Sequence, residues 1–332
     1  MNKKITTPVL LLVFNKPEKT QQVFDVIRQV KPTKLYVAAD APRIDNLADI
    51  ELCQKVRDIV LNVDWECETH YLFHEKNVGC SMGGKTAWDW FFSKEEEMIF
   101  LEDDGVASIS FFGYCQDLLE KYRFDTRISY IGGVNYDVTQ GDATYFFSRY
   151  SSGSYGMASW KRVYDLYEYN LESYYETVNT KQFKTRFVNK FSYKFMKTKF
   201  IHYIKRGGNT YDIQMVYLMH KYNMWSIIPN VNMVTDIGYD HDATNNIAGP
   251  DSPIAKKYGN KTRVEIDHIK HPLDVTIDKT FEKMYFKHRV LHGVSWQKAW
   301  INFYIKPVLL SLPFVYSFYK VLKKYFGKNT IN

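Results

Sequence analysis

Short apolar runs alternate with amphipathic stretches over the first hundred positions, and the alternation predicts a β-α-β-α-β-α-β order. Val9 to Phe14 is an unbroken apolar run and reads as the first strand. Pro17 opens a helix at its first turn, where a missing N–H costs nothing. Val23, Val26, Ile27 and Val30 give that helix one apolar stripe. Leu35 to Ala39 reads as the second strand, and Ile50 to Leu61 as a helix with Leu52, Val56, Ile59 and Val60 inward. Thr69 to Phe73 predicts a short third strand, Asn77 to Gly84 a glycine-bearing loop, and Thr86 to Phe92 a third helix. Met98 to Leu101 is then a strand buried on both faces, as in a parallel sheet covered by helices. The expected fold class is α/β, with a mainly parallel sheet and flanking helices. Functional loops should gather at the carboxyl ends of the strands.

Beyond residue 110 the pattern is looser. A helix is expected through Phe112, Cys115, Leu118, Leu119 and Tyr122, and a strand over Ile128 to Gly133. From Ser148 to Trp160 small residues and aromatics alternate without either period, which predicts a loop that packs tightly or lines a pocket. Trp160 to Arg162 starts a helix running to Tyr167, and residues 170–208, basic and aromatic, read as helical. Asp212 and Gln214 open a helix with Val216, Tyr217, Met219 and His220. Trp225 to Pro229 and Val231 to Ile237 read as strands.

The feature that changes the picture lies directly after Leu101: Glu102, Asp103, Asp104 and Gly105. Three consecutive acids repel one another and are tolerated where they face water or share a cation. A solvated turn is the plain reading. Their position directly after a buried strand favours a divalent metal site. The glycine loop is close to a P-loop (Gly79, Gly83, Gly84, Lys85, Thr86) but one residue short of the Walker spacing. It also comes after His74 to Lys76, not an apolar strand, so an ATPase reading is weak.

Composition narrows the class further. The 332 residues are 45% hydrophobic and 24% charged, a globular balance, and 17% aromatic, which supplies stacking surface for sugars and nucleobases. The net charge of +7 is uneven: after Glu282 there is no Asp or Glu, while Lys and Arg continue. A slightly acidic body with a basic tail argues against a general nucleic-acid binder and for a partner met at the C-terminus. The four cysteines lack metal spacing and suit a reducing compartment. No apolar run approaches the roughly 18 residues of a spanning helix, and Pro8 to Phe14 lacks the features of a signal peptide. Trp296 to Phe326 mixes aromatics and lysines, a composition suited to an interfacial membrane helix or to packing on the core or a second subunit.

Seven pieces in order carry a family resemblance: Leu12 to Pro17, Ala39 to Arg43, Asn77 to Cys80, Phe100 to Asp104, Tyr155 to Trp160, Thr210 to Gln214 and Ile237 to Thr244. With them the chain resembles GT-A-type nucleotide-diphospho-sugar glycosyltransferases, in particular a bacterial haemolytic-protein-like sugar transferase group. Tyr155, Met157, Ser159 and Tyr211 depart from that group's tryptophan- and threonine-bearing pattern, on the side expected to bind the acceptor. The resemblance implies a GT-A, Rossmann-like domain over residues 1–250, with a donor half to about residue 135 and an acceptor half after it. Residues 251–332 would be a helical extension that meets a membrane.

The expected activity is metal-dependent, inverting sugar transfer from a nucleoside-diphosphate donor, a UDP-sugar above others. The acceptor would be a glycan or a lipid-linked molecule in bacterial surface-polysaccharide synthesis, at the cytoplasmic face of the membrane. The resemblance places Asp104, and with less support His241, on Mn²⁺ or Mg²⁺, and Asp103 and Glu102 on the ribose or on metal-bound waters. Phe14 and Asn15 would meet the base, Asp40 the base or ribose, Arg43 the diphosphate, and Asn77 and Gly79 the donor's close approach. Each has a plain alternative: a last core residue, a turn, an exposed cation, a helix cap. Asp212 is the expected general base, although an Asp opening a helix is first of all an N-cap. Asp242 is a further candidate at the diphosphate, and His268 and His271 read as structural. Two rivals remain: a membrane-peripheral carbohydrate- or nucleotide-binding protein without turnover, and a sugar nucleotidyltransferase, which would release pyrophosphate.

Overall fold

The computed structural model describes residues 3–151, 153–207, 210–239, 251 and 253–306. The first half runs β1 (Val9–Val13), α1 (Pro17–Val30), β2 (Lys34–Ala39), α2 (Leu47–Leu61), β3 (Glu68–Phe73), α3 (Gly79–Phe92), β4 (Glu97–Glu102), β5 (Gly105–Ala107), α4 (Ile109–Lys121) and β6 (Ile128–Gly132). Then come β7 (Tyr145–Ser148), β8 (Gly156–Trp160), α5 (Lys161–Tyr164), α6 (Tyr174–Thr177), α7 (Lys181–Thr185), α8 (Lys190–Arg206), α9 (Ile213–Tyr222), β9 (Trp225–Pro229) and β10 (Val234–Asp236). The C-terminal region is helical: α10 (Pro253–Tyr258), α11 (Lys279–Arg289), α12 (Trp296–Trp300) and a π-helical turn (Ile301–Ile305).

Eight strands form one mixed sheet in the order β3-β2-β1-β4-β8-β6-β9-β7, and β10 pairs with β5 in a small antiparallel ribbon. β3, β2, β1 and β4 are parallel neighbours with helices on the sheet's faces, a Rossmann-like α/β arrangement. Val9, Leu10 and Leu11 of β1 and Met98 to Leu101 of β4 are fully buried, as strands covered on both faces must be. From β1 the chain moves outward to β2 and β3, then returns to the other side of β1 as β4. The β1–β4 seam is therefore the point where strand order reverses, and a crevice opens there at the carboxyl ends. Register brings Leu12 level with Glu102, so the acids begin where β1 ends.

Four local expectations are corrected. The segment expected as a loop from Asn77 to Gly84 is helical from Gly79. Gly84 is not a helix breaker there; a Cβ at that position would collide with the ring of Tyr211, so the glycine allows close packing. The aperiodic Ser148 to Trp160 segment is not all loop, because Gly156 to Trp160 is a buried central strand, antiparallel to β4. Its small residues conceal strand periodicity, and a Cβ at Gly156 would lie 2.6 Å from Val234 Cγ2. The helix expected to reach Tyr167 stops at Tyr164, while the stretch expected to be helical after it carries α6, α7 and α8. Finally, only Val234 to Asp236 of the expected Val231 to Ile237 strand pairs, and it pairs with β5.

Candidate active site

A cavity of about 550 Å³ opens over the carboxyl ends of β1 and β4. One wall comes from the first half of the chain. Asp103 Oδ2 accepts the backbone N–H of Phe14 at 3.1 Å, which ties the end of β1 to the acidic turn. Lys16 Nζ donates to Asp104 Oδ2 at 2.7 Å and lies 3.5 Å from Asp103 Oδ1. Burial works against the charge on Lys16, and Asp103 and Asp104 outweigh it, so its pKa is raised. The β5–β10 ribbon sets Asp236 opposite Gly105, and Ile237 N–H donates to the Asp104 carbonyl at 2.9 Å. Asp236 thus joins the triplet from a strand far later in the chain.

The cluster is short of positive charge. Burial, reinforced by the charge of Asp104, pushes Glu102 up to about 8 and Asp236 up to about 7. Burial likewise raises Asp103 to about 6, with Lys16 acting against the shift. Among the described residues Lys16 and Lys19 lie near this cluster, and burial still raises the proton affinity of Glu102, Asp103 and Asp236.

Around this wall lie the other residues expected at the donor site, and most are bound to protein. Asp40 accepts the backbone N–H of Val78 and of Gly79, both at 2.9 Å, and the Asn77 amide at 3.0 Å. It therefore satisfies the open N–H groups at the start of α3. Arg43 donates to Asp49 from Nε at 2.5 Å and from a terminal nitrogen at 2.8 Å, and Asn15 donates to the same carboxylate at 2.8 Å. Asp49, 1% exposed, was not picked out from sequence because it sits in the first turn of an amphipathic helix. The Arg43 guanidinium also lies 5.6 Å from the centre of the Phe14 ring. Phe14, Asp40, Arg43, Asn77 and Gly79 line the cavity with Glu102, Asp103 and Asp104, whereas Asn15 does not.

The other wall comes from the second half. Asp212 occupies the N-cap position of α9, yet its side chain makes no capping hydrogen bond. Its carboxylate instead accepts from the Thr210 hydroxyl and lines the cavity. Tyr211, the residue before it, donates to Glu102 Oε1 at 2.6 Å, so the two walls touch through that phenol. Tyr136, Tyr155, Tyr239 and Arg289 complete this side. Burial works against the charge on Arg289; the phenols of Tyr136 and Tyr285 and the carboxylate of Asp212 outweigh it and raise its pKa. Lys16, Tyr136, Asp236 and Arg289 were not singled out in the sequence. Lys16 carried one signal, a cation at the carboxyl end of the first strand. His241 and Asp242 lie outside the described residues.

Among the described residues, no three His, Cys, Asp or Glu side chains converge as a metal cage. Mg²⁺ seldom needs one, since it is held by one or two carboxylates, waters and substrate phosphates. Asp104 and Asp236 offer such a pair. Their carboxylates close over Gly238, where a Cβ would collide with Asp104 Oδ2 and lie 3.0 Å from Asp236 Oδ1. All the donors are hard oxygens and the carboxylates outnumber the cations beside them, so these residues fit Mg²⁺ or Mn²⁺, with Lys16 already on one Asp104 oxygen.

No protein-family model matches the chain, and no curated protein matches it. Solved structures overlap part of it. HddC from Yersinia pseudotuberculosis is 8% identical with a TM-score of 0.31, over 48% of this chain and 78% of that one. The 4-diphosphocytidyl-2C-methyl-D-erythritol synthase from Anaerococcus prevotii is 11% identical with a TM-score of 0.33, over 52% and 77%. A UDP-glucose pyrophosphorylase complexed with UDP-glucose is 9% identical with a TM-score of 0.30, over 48% and 78%. Overlap at this level identifies neither family nor activity.

Proposed function

We propose that the chain is a GT-A-type glycosyltransferase. It moves a sugar, with inversion, from a nucleoside-diphosphate donor to a glycan or lipid-linked acceptor in bacterial surface-polysaccharide synthesis. A UDP-sugar is the preferred donor class. The observation that carries this reading is that Asp212, released from helix capping, lines the same cavity as the acids at the β1–β4 seam. A base and an anion-handling cluster across one cavity are what a single displacement at an anomeric carbon requires.

In this mechanism Asp212 takes the proton of the acceptor hydroxyl. The hydroxyl oxygen bonds to the anomeric carbon as the bond from that carbon to the diphosphate oxygen breaks, and nucleoside diphosphate leaves. Asp104 and Asp236 would hold Mg²⁺ or Mn²⁺, which when bound neutralises diphosphate charge. Lys16 brings a second positive charge to the same place. Phe14 and Arg43 present an aromatic face and a guanidinium on the donor side, and Tyr211 fixes Glu102. Residues 1–250 are read as the catalytic domain, and 251–332 as an extension whose α11 packs back to bring Arg289 to the cavity and whose later part meets the membrane. Exposed Trp300 and Ile301 beside Lys298 support that surface role. Among the described residues no helix is long and apolar enough to cross a membrane.

The test is product analysis with a panel of labelled nucleotide sugars and membrane-lipid or glycan acceptors. Release of nucleoside diphosphate is expected. Asp212→Asn should lower turnover by about 10²- to 10⁴-fold, the usual worth of a general base, while leaving nucleotide binding intact. Pyrophosphate release from a nucleoside triphosphate and a sugar 1-phosphate would replace this reading with nucleotidyl transfer.

A further inference from the structure

Among the described residues three cations line the cavity, and two have carboxylate partners: Lys16 is paired with Asp103 and Asp104, and Arg43 with Asp49. Among the described residues Arg289 has no carboxylate within ion-pair distance. Its Nε donates to the Ser151 carbonyl at 3.1 Å, and its guanidinium carbon lies 4.8 Å from the centre of the Tyr136 ring. Its two terminal nitrogens donate no hydrogen bond among the described residues. A guanidinium held by a stack and one backbone bond, with its fork open, is pre-organised to grip a carboxylate or phosphate in bidentate fashion.

The helix that carries Arg289 is firmly placed. Asp278 caps α11 by accepting from Thr280 N–H at 2.7 Å and Phe281 N–H at 3.0 Å. Glu282, fully buried, accepts from Arg149 N–H at 2.6 Å and from an Arg149 guanidinium nitrogen at 2.8 Å. Phe281 packs on Phe146 at 4.6 Å between ring centres, and Phe286 on Tyr150 at 5.2 Å. Glu282, Phe286 and Arg289 are spaced i, i+4, i+7 and share one face. The contacts that bury the first two therefore turn the third toward the cavity, on the side of Asp212.

We propose that Arg289 anchors an anionic group, a phosphate or carboxylate, belonging to the acceptor. This rests on the transfer reading above and adds to it a substrate class, an acceptor with negative charge close to the hydroxyl that reacts. A salt link to Arg289 would hold that hydroxyl at Asp212. The donor diphosphate is the other source of such an anion, and the test separates the two.

The full chain is saturated with UDP and Mg²⁺, with GDP, CDP, ADP and dTDP in reserve, and then titrated with inorganic phosphate by calorimetry. Phosphate is expected to bind in addition to the nucleotide. Arg289→Gln should weaken phosphate at least about tenfold and Arg289→Lys by less, with the nucleotide affinity of both variants within twofold of wild type. Three results overturn the proposal: phosphate binding unchanged in Arg289→Gln, no phosphate binding to nucleotide-saturated wild type, or a loss of nucleotide affinity in Arg289→Gln. The last would assign the guanidinium to the donor diphosphate. Folded wild type that binds none of the nucleotides would instead defeat the transfer reading beneath it.

Discussion

The two walls of the cavity are assembled in different ways. The wall at the β1–β4 seam comes from strand ends that are neighbours in the sheet, and Phe14, Lys16 and Glu102 to Asp104 need only parallel pairing to meet. The opposite wall gathers Tyr136, Tyr155, Asp212 and Arg289 from four separated segments, held by buried polar contacts and by α11. The first wall is thus a consequence of topology, and its charges strain against one another. The second depends on particular anchors far from the chemistry. Damage to a single anchor should affect the second wall first.

Glu282→Ala tests that difference most strongly. It leaves the largely buried Arg149 guanidinium without its carboxylate. Loss of one partner from a buried pair costs about 3–5 kcal/mol, to be read from urea unfolding. Phosphate binding through Arg289 should fail in this variant before nucleotide binding does.

His220 gives a pH-dependent version of the test. It lies fully buried on α9, stacked on Phe187 at 4.2 Å, and burial lowers its pKa to about 4. The unfolded chain takes up the proton near pH 6.5 while the folded chain refuses it. The stabilisation is complete above pH 6.5 and declines as pH falls toward 4, by about 3 kcal/mol over that span. Stability curves of wild type and His220→Phe should converge or cross in that window. Parallel curves would show that His220 does not titrate in this way.

The smallest effect is expected on the donor side. Asp40→Ala removes the acceptor for the Val78 and Gly79 amides. A lost cap costs about 0.5–2 kcal/mol, measured as a shift in the urea midpoint. If Asp40 acts chiefly as that cap, nucleotide affinity should fall much less than it does for Asp104→Asn.

The same contrast explains what the sequence could tell. The runs Val9–Phe14, Leu35–Ala39 and Met98–Leu101 announced themselves because strands buried along most of their length must be apolar, and the acids after Leu101 marked the seam. β8 did not, because Gly156, Ala158 and Ser159 are chosen for close packing and carry no alternation. The strand carrying Asp236 was legible over Val231 to Ile237, but its pairing with β5, which brings Asp236 to the acids, is a long-range contact that no local period reveals. Arg289 was one cation in a basic C-terminal segment that suggested a membrane; only the packing of α11 turns it into the cavity.

The most direct test is thermal unfolding of the full chain with a panel of nucleoside diphosphates, in Mg²⁺ or Mn²⁺ and again in chelator. A ligand present at one hundred times its dissociation constant stabilises by about 2.7 kcal/mol. A shift with one nucleoside diphosphate, reduced by chelator and by Asp104→Asn, is the predicted result. No shift with any of them on folded protein would contradict the account, and the acids after β4 would then be only a turn.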